Sequence, residues 1–409
     1  MKPALRITLL HALFGWLNLS LTAPGIYLWL GLPLIMRQHG WSGIDIGLFQ
    51  LAGLPALFKF ALALPVERLR GTADARTEHY RPWAIALCLL LAALMLLMGR
   101  RELLHSPNEL FALACAVALL TTWADIPVNA LAIRVLPEAQ RLRAGGIRSA
   151  ALSLGAIVGG GIMLLLQTRW GWRAPFWLMA AAIAMGAAGL VLLGKTSRTP
   201  HAGDAAAHRG ADWRGYFAQP AAPRWNALLL LCFPFIGSAW FYLKPLLLDH
   251  GFAAQQVALI AGVGGGIVAA LASLLAVRVT RRIGVAKALP AVTLLSLLAL
   301  LALALAVLLR APPAGFIAAA LLVALAMGAA ASLAFGLMMY FARPSHSAAD
   351  YGVQASLFAA GRMLVPLLAG ALLDQAGYGG MLLALTVAMA GVTVLAFDSR
   401  AQIARQAAH

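Results

Sequence analysis

The sequence predicts an all-α polytopic membrane protein with twelve transmembrane helices in two bundles of six. Three observations define that class. Hydrophobic residues make up 62% of the 409 residues and charged residues only 11%, where a soluble chain carries about 25% charged residues. The apolar residues form continuous runs rather than alternating ones, and many reach the ~20 residues a helix needs to cross a bilayer. In lipid the backbone must satisfy itself inside each segment or in a closed barrel, so continuous runs mean helices. Finally, lysine and arginine punctuate the runs instead of gathering on a polar domain.

Taken in order, the first six spans are 8–36, 44–66, 82–99, 108–133, 146–166 and 174–194; the second six are 225–248, 255–278, 288–309, 315–341, 352–374 and 379–397. The first run is too long for a cleavable leader, and more spans follow it. The stretch 195–224 holds Pro200, Pro220 and Pro223 among histidines and arginines. It reads as a solvated, disordered or weakly helical linker, giving domains 1–194, 195–224 and 225–409. With both termini inside, the inner loops carry 22 of the 31 Lys and Arg, the outer loops 6, and the spans 3. The positive-inside rule therefore predicts cytoplasmic termini and an even number of spans.

The net charge of +17 does not imply nucleic acid, because no basic face is segregated. Cys88, Cys115 and Cys232 fall inside apolar runs without metal-ligand spacing and read as small apolar fillers; no metal or cofactor is expected. Gly189, Gly194, Lys195 and Thr196 fit the P-loop pattern. The residues between are Leu190 to Leu193 at the end of a span, so they form helix and not a phosphate-cradling loop. Gly155 and Gly159 to Gly161 crowd span 5, and Gly262 and Gly264 to Gly266 crowd span 8. Small residues at such density predict close helix packing.

Four ionisable side chains lie within spans: Lys59, Asp125, Lys244 and Arg362. Each is costly in lipid and is a functional candidate by default. Three cations against one acid predict a positive cavity for an anionic substrate. Internal pairing of Lys59 with Asp125, at similar depth, is the competing reading. Lys244 can also snorkel outward along its stem. Asp125 is the candidate proton carrier, since a buried carboxylate holds a proton more readily unless a cation pairs with it; His11 is a second titrating group. Tyr27, Trp29, Trp240, Tyr242 and Phe335 are interleaved with these charges and suit a ligand with aryl rings.

The halves show an internal repeat. Trp29, His39-Gly40 and Trp41 return 211 residues later as Trp240, His250-Gly251 and Phe252. A parallel six-plus-six repeat resembles the major facilitator transporters, which bind substrate between their halves near the midplane. In that architecture spans 1, 4, 7 and 10 line the cavity with 2, 5, 8 and 11 beside them, and all four charged residues fall in these groups. The segment Trp123 to Arg134, with Asp125 and Ile126, resembles the span-4 signature of the AmpG-type muropeptide permeases; Asn129 stands where that signature has a second acid. Gly31-Leu-Pro33, Ile46 to Leu48, Lys59-Phe60 and Pro65 resemble the same group. Met339 to Pro344, Ala349 to Tyr351, Gln354, Ser356 and Gly377-Tyr378 are similar to the RhtX/FptX-type siderophore permeases.

That resemblance implies a monomeric inner-membrane symporter that imports an iron–siderophore complex such as ferri-pyochelin. Lys59, Lys244 and Arg362 would hold its oxygens, Tyr27, Trp29, Trp240 and Tyr242 its rings, and Asp125 would couple protons. Glu67, Arg68 and Arg281 in the basic turns would gate the cytoplasmic side. An AmpG-like permease for cell-wall fragments and a drug or metabolite exporter are the alternatives. With no nucleophile and base at usable spacing, an enzyme is not expected.

Overall fold

The computed structural model describes residues 3–41, 43–67, 73–193 and 212–408. Every element among them is helical. Ten helices are long and apolar enough to cross a membrane. The last of these, Pro344–Arg405, has 62 residues, about 93 Å at 1.5 Å per residue, three times the hydrocarbon thickness. It breaks at Gly377, whose φ of 66° and ψ of −176° only glycine adopts easily, and so supplies spans 11 and 12. Span 2 is not one continuous α-helix. It runs as Gly43–Phe49, a 3₁₀ stretch Gln50–Phe58 containing Pro55, and Lys59–Glu67. These two adjustments reconcile ten helices with twelve spans.

Leucines and valines also cover the outside of the helices: Leu271, Leu367, Leu368, Val387 and Val394 are all exposed. That surface suits lipid, because water-soluble proteins rarely expose contiguous apolar area on this scale. Of the linker, 195–211 lies outside the described residues. The remainder is more ordered than expected, with a short helix Trp213–Phe217 and span 7 starting at Ala222. Tyr216 is fully buried and donates to Asn226 Oδ1 at 2.6 Å, an apolar ring with one polar handle that cannot stay in solvent cheaply.

The internal repeat is structural. Gly40 and Gly251 have φ of 85° and 86°. Trp41 N donates to Met36 O and Phe252 N to Leu247 O, each at 3.1 Å. His39 Nδ1 and His250 Nδ1 each lie 2.8 Å from the carbonyl oxygen four residues back. Both helices thus end in the same glycine C-cap, with the histidine completing the orphan carbonyls. The rings repeat as well: His39 packs on His105 at 6.2 Å and His250 on Phe316 at 4.7 Å, again 211 residues apart.

Contacts divide the chain into two compact units. One comprises 1–140, 154–213 and 342–356; the other comprises 141–153, 214–341 and 357–409. Each unit therefore takes the start of the fifth helix of the other half. In the second unit the small residues allow backbones to touch. A Cβ on Gly145 would fall on the backbone of Gly336, and one on Gly328 on the carbonyl of Ala269. Ser149 Oγ lies 2.8 Å from Ser273 Oγ, and Ser332 Oγ donates to Ser273 O at 2.7 Å. Close packing and interhelical hydroxyl bonds hold helices together where lipid offers no hydrophobic drive. The glycines read as packing sites divide: Gly159 sits against Ala23 O and Gly265 under the Trp240 ring, while Gly161 and Gly262 face open space.

Candidate functional site

In the first unit the polar centre forms around Asp125, on the helix Pro107–Val135. Its Oδ2 accepts Lys59 Nζ at 2.5 Å and the Tyr351 hydroxyl at 2.7 Å. Its Oδ1 accepts Asn129 Nδ2 at 2.8 Å, one helical turn on. Lys59 and Asp125 are 13% and 14% exposed. Of the two readings open in the sequence, the structure therefore has Lys59 and Asp125 paired, which takes Lys59 out of the set of free cations. Beside them Trp123 packs on Trp83 at 5.5 Å, and Trp83 Nε1 donates to His79 Nε2 at 2.6 Å. Trp123 Nε1 and Asn129 Oδ1 are buried and have no partner among the described residues.

The start of span 11 closes over this centre. Glu67, buried at the end of span 2, accepts the backbone N–H groups of Ala348 and Ala349 at 2.9 and 3.0 Å and both its oxygens meet Tyr80 OH. A carboxylate at a helix N-terminus satisfies orphan amides and complements the helix dipole. Further along, Gly352 has no side chain because a Cβ would stand 2.9 Å from Lys59 O and 2.8 Å from Ala63 Cβ. Ser356 Oγ accepts Phe60 N at 3.0 Å. Arg134 reaches the carbonyl of Pro344. Arg343 is held bidentately by Asp350, at 2.8 and 2.9 Å, and by Asp212 at 2.9 Å. Burial works against the Arg343 charge, but those two carboxylates outweigh it and raise its pKa above the ordinary arginine value.

In the second unit three rings form a row: Phe335 to Phe358 at 5.1 Å and Phe358 to Phe233 at 5.0 Å. A guanidinium stands at each end. Arg148 lies 4.6 Å from the Phe335 centroid, and Arg362 lies 5.8 and 6.0 Å from Phe358 and Phe233. Cation–π contact orients a guanidinium without neutralising it. Arg362 and Lys244 have no ion pair among the described residues. Lys244 is exposed on Pro234–Asp249.

The predicted aromatic contacts are mostly committed to packing. Tyr27 is fully buried, meets Phe176 edge-on at 5.5 Å and gives its hydroxyl to Gln167, so it belongs to the core. Trp29 covers Gly25 and Gly53, and Trp240 covers Gly265; Trp29 Nε1 is buried without a partner among the described residues. Tyr242 OH donates to Pro366 O at 2.9 Å. His11 Nε2 lies 3.4 Å from Gln140 Oε1. Of the gate residues, Arg68 lies outside the described residues, and Arg281 is exposed on the last turn of Gly265–Ile283. Sequence reasoning missed Tyr351 as a partner of Asp125. Arg148, which the bounds 146–166 place inside span 5, goes unnamed among the intramembrane charges read from the sequence. That position was the available signal.

Residues 9–366 match the profile of the Major Facilitator Superfamily. The anhydromuropeptide permease of Escherichia coli K12 is 30% identical over 183 residues, 44% of this chain and 35% of that protein. The chain thus spans about a third of that relative's length. The transporter FucP in its outward conformation superposes with a TM-score of 0.72 at 17% identity, covering 96% of this chain and 98% of that one. A bacterial homologue of the iron transporter ferroportin, outward-facing with soaked iron, superposes with a TM-score of 0.69 at 14% identity over 96% and 98%. At such identities these likenesses establish the fold alone.

Proposed function

The chain belongs to the Major Facilitator Superfamily and is a multi-pass membrane transporter, and from that premise we propose that it imports an anionic, aryl-bearing solute, an iron–siderophore complex of the ferri-pyochelin kind. The observation that carries this reading is Arg362. It is a cation within span 11 that has no ion pair among the described residues, and Phe358 and Phe233 orient it. An unpaired intramembrane charge is retained at a cost of several kcal/mol, which a carboxylate or phenolate ligand would offset. Lys244 supplies a second free cation, and the phenylalanine row a surface for rings.

Transport is driven by protons through Asp125, whose carboxylate Lys59 and Tyr351 hold in its charged form until a proton competes for it. Glu67 gates by capping the helix that begins at Ser347, and Arg281 gates at the end of span 8. The protein works as a monomer in the bacterial inner membrane with both termini in the cytoplasm.

A second reading is favoured by the 30% identity to the anhydromuropeptide permease: the solute is a cell-wall sugar–peptide fragment, also anionic but without aryl rings. Uptake into spheroplasts, with and without the protein, separates the two. Radioactive iron is presented as a phenolate siderophore complex, and a labelled anhydromuropeptide is presented in parallel. The first reading expects iron accumulation that a protonophore abolishes. Accumulation of the muropeptide alone establishes the second, and accumulation of neither overturns both.

A further inference from the structure

We propose that Tyr351 is a positioning residue through which the charge on Asp125 holds the start of span 11 in place. This rests on the proton-coupling reading above. Tyr351 is 1% exposed, and its hydroxyl donates at 2.7 Å to the same carboxylate oxygen that accepts Lys59 Nζ. An ionised carboxylate only accepts, and an O–H···O⁻ bond of this length is charge-assisted, about twice as strong as a neutral one. Once that oxygen carries a proton, it can no longer serve both donors as an anion.

The position of Tyr351 turns this local change into a conformational one. Ala348, Tyr351-Gly352 and Ser356 follow at helical spacing and lie on one face. At its ends that face is tied to span 2 by Glu67 and by Phe60 N, and in its middle Gly352 lies against Lys59 O. Tyr351 therefore joins the ion pair to a seam of side-chain-to-backbone bonds and close backbone approach that has no charge of its own along Gly352 to Ser356. Protonation of Asp125 weakens the seam at its centre and lets segment 342–356 leave spans 2 and 4.

Other titratable groups also touch the segment. Glu67, Tyr80 and Arg134 face it, Asp212 faces Arg343, and it carries His346 and Asp350 itself. Variants at one fixed pH isolate the tether where a pH scan would not. The first measurement is amide hydrogen exchange across 342–356 in the purified full chain, which needs no substrate. Tyr351→Phe is expected to speed exchange about tenfold, the loss of one charge-assisted bond. Asp125→Asn should speed it at least as much, because it removes the same bond together with others, and the double variant should be no faster than Asp125→Asn alone. Unchanged exchange in Tyr351→Phe, or additive effects in the double variant, overturns the tether.

The second measurement uses proteoliposomes with the radioiron phenolate siderophore as the probe. Tyr351→Phe should lower gradient-driven accumulation about tenfold while leaving counterflow exchange within about twofold. An equal loss of both marks a merely structural role and overturns the coupling claim. If the wild type carries no probe, the import reading has failed, and the exchange data still decide the tether.

Discussion

Replacing Asp125 with asparagine keeps the side chain's size and removes its charge. Lys59 Nζ, 2.5 Å from Oδ2 and 13% exposed, would be left as a desolvated cation facing an amide. Removing one partner of a buried ion pair costs about 3–5 kcal/mol. The Tyr351 and Asn129 bonds to the carboxylate lose their charge assistance as well. For a unit of roughly 200 residues, each kcal/mol lowers the midpoint by about 2–4 °C, so Asp125→Asn should unfold roughly 6–20 °C earlier. Lys59→Met should lose a similar amount, because it strands the carboxylate. The double variant Lys59→Met/Asp125→Asn strands neither charge and should recover most of the loss, so the two single losses should be far from additive. Thermal unfolding in one detergent, followed by tryptophan fluorescence, reads all four proteins. A single-variant shift under about 2 °C, or additive losses in the double variant, refutes the coupling of this part-buried pair.

Three further outcomes rest on the same geometry. Glu67→Gln keeps the acceptor but removes the charge at the helix start, so the Ala348 and Ala349 amides should exchange about 5–30-fold faster, equivalent to ~1–2 kcal/mol of cap. Arg343→Ala strands Asp350, which is 0% exposed; it should cost about 3–5 kcal/mol in thermal unfolding, and Arg343→Ala/Asp350→Asn should recover part of it. Gly145→Val puts a side chain into the backbone of Gly336, which cannot yield as a flexible side chain does. That variant should be lost from the monodisperse fraction in size-exclusion chromatography, while Gly161→Val, facing open space, should not.

Span number and class were legible because hydropathy and helix length are local properties, and the bilayer sets one scale for all of them. The repeat was legible too: a His-Gly pair is the local signature of a glycine C-cap, and both copies fold into one. Local signals failed where conformation depends on neighbours. Apolar content marked span 2 but not its 3₁₀ stretch around Pro55, and it bounded spans 11 and 12 at 374 and 379 without showing that helix runs up to Gly377 from both sides. The Lys59–Asp125 pair was one of two open readings because depth along a span can be counted from the sequence, while facing cannot. Tyr351 on Asp125 and Ala348 on Glu67 join residues 226 and 281 positions apart, beyond any periodicity. The positive cavity was overcounted for the same reason: net charge is additive along the chain, but pairing is a property of contacts.

On the proposed reading, Arg362 holds an anionic solute against the phenylalanine row. The most direct test is equilibrium binding of the ferric phenolate siderophore to the purified protein in detergent, comparing wild type with Arg362→Met and Arg362→Lys. The wild type should bind it saturably. Arg362→Met should weaken that binding at least about 30-fold, the loss of a charged hydrogen-bonding partner of ~2 kcal/mol or more. Arg362→Lys should fall between, since it keeps the charge but not the planar fork. Equal binding by all three proteins would show that Arg362 does not hold the solute.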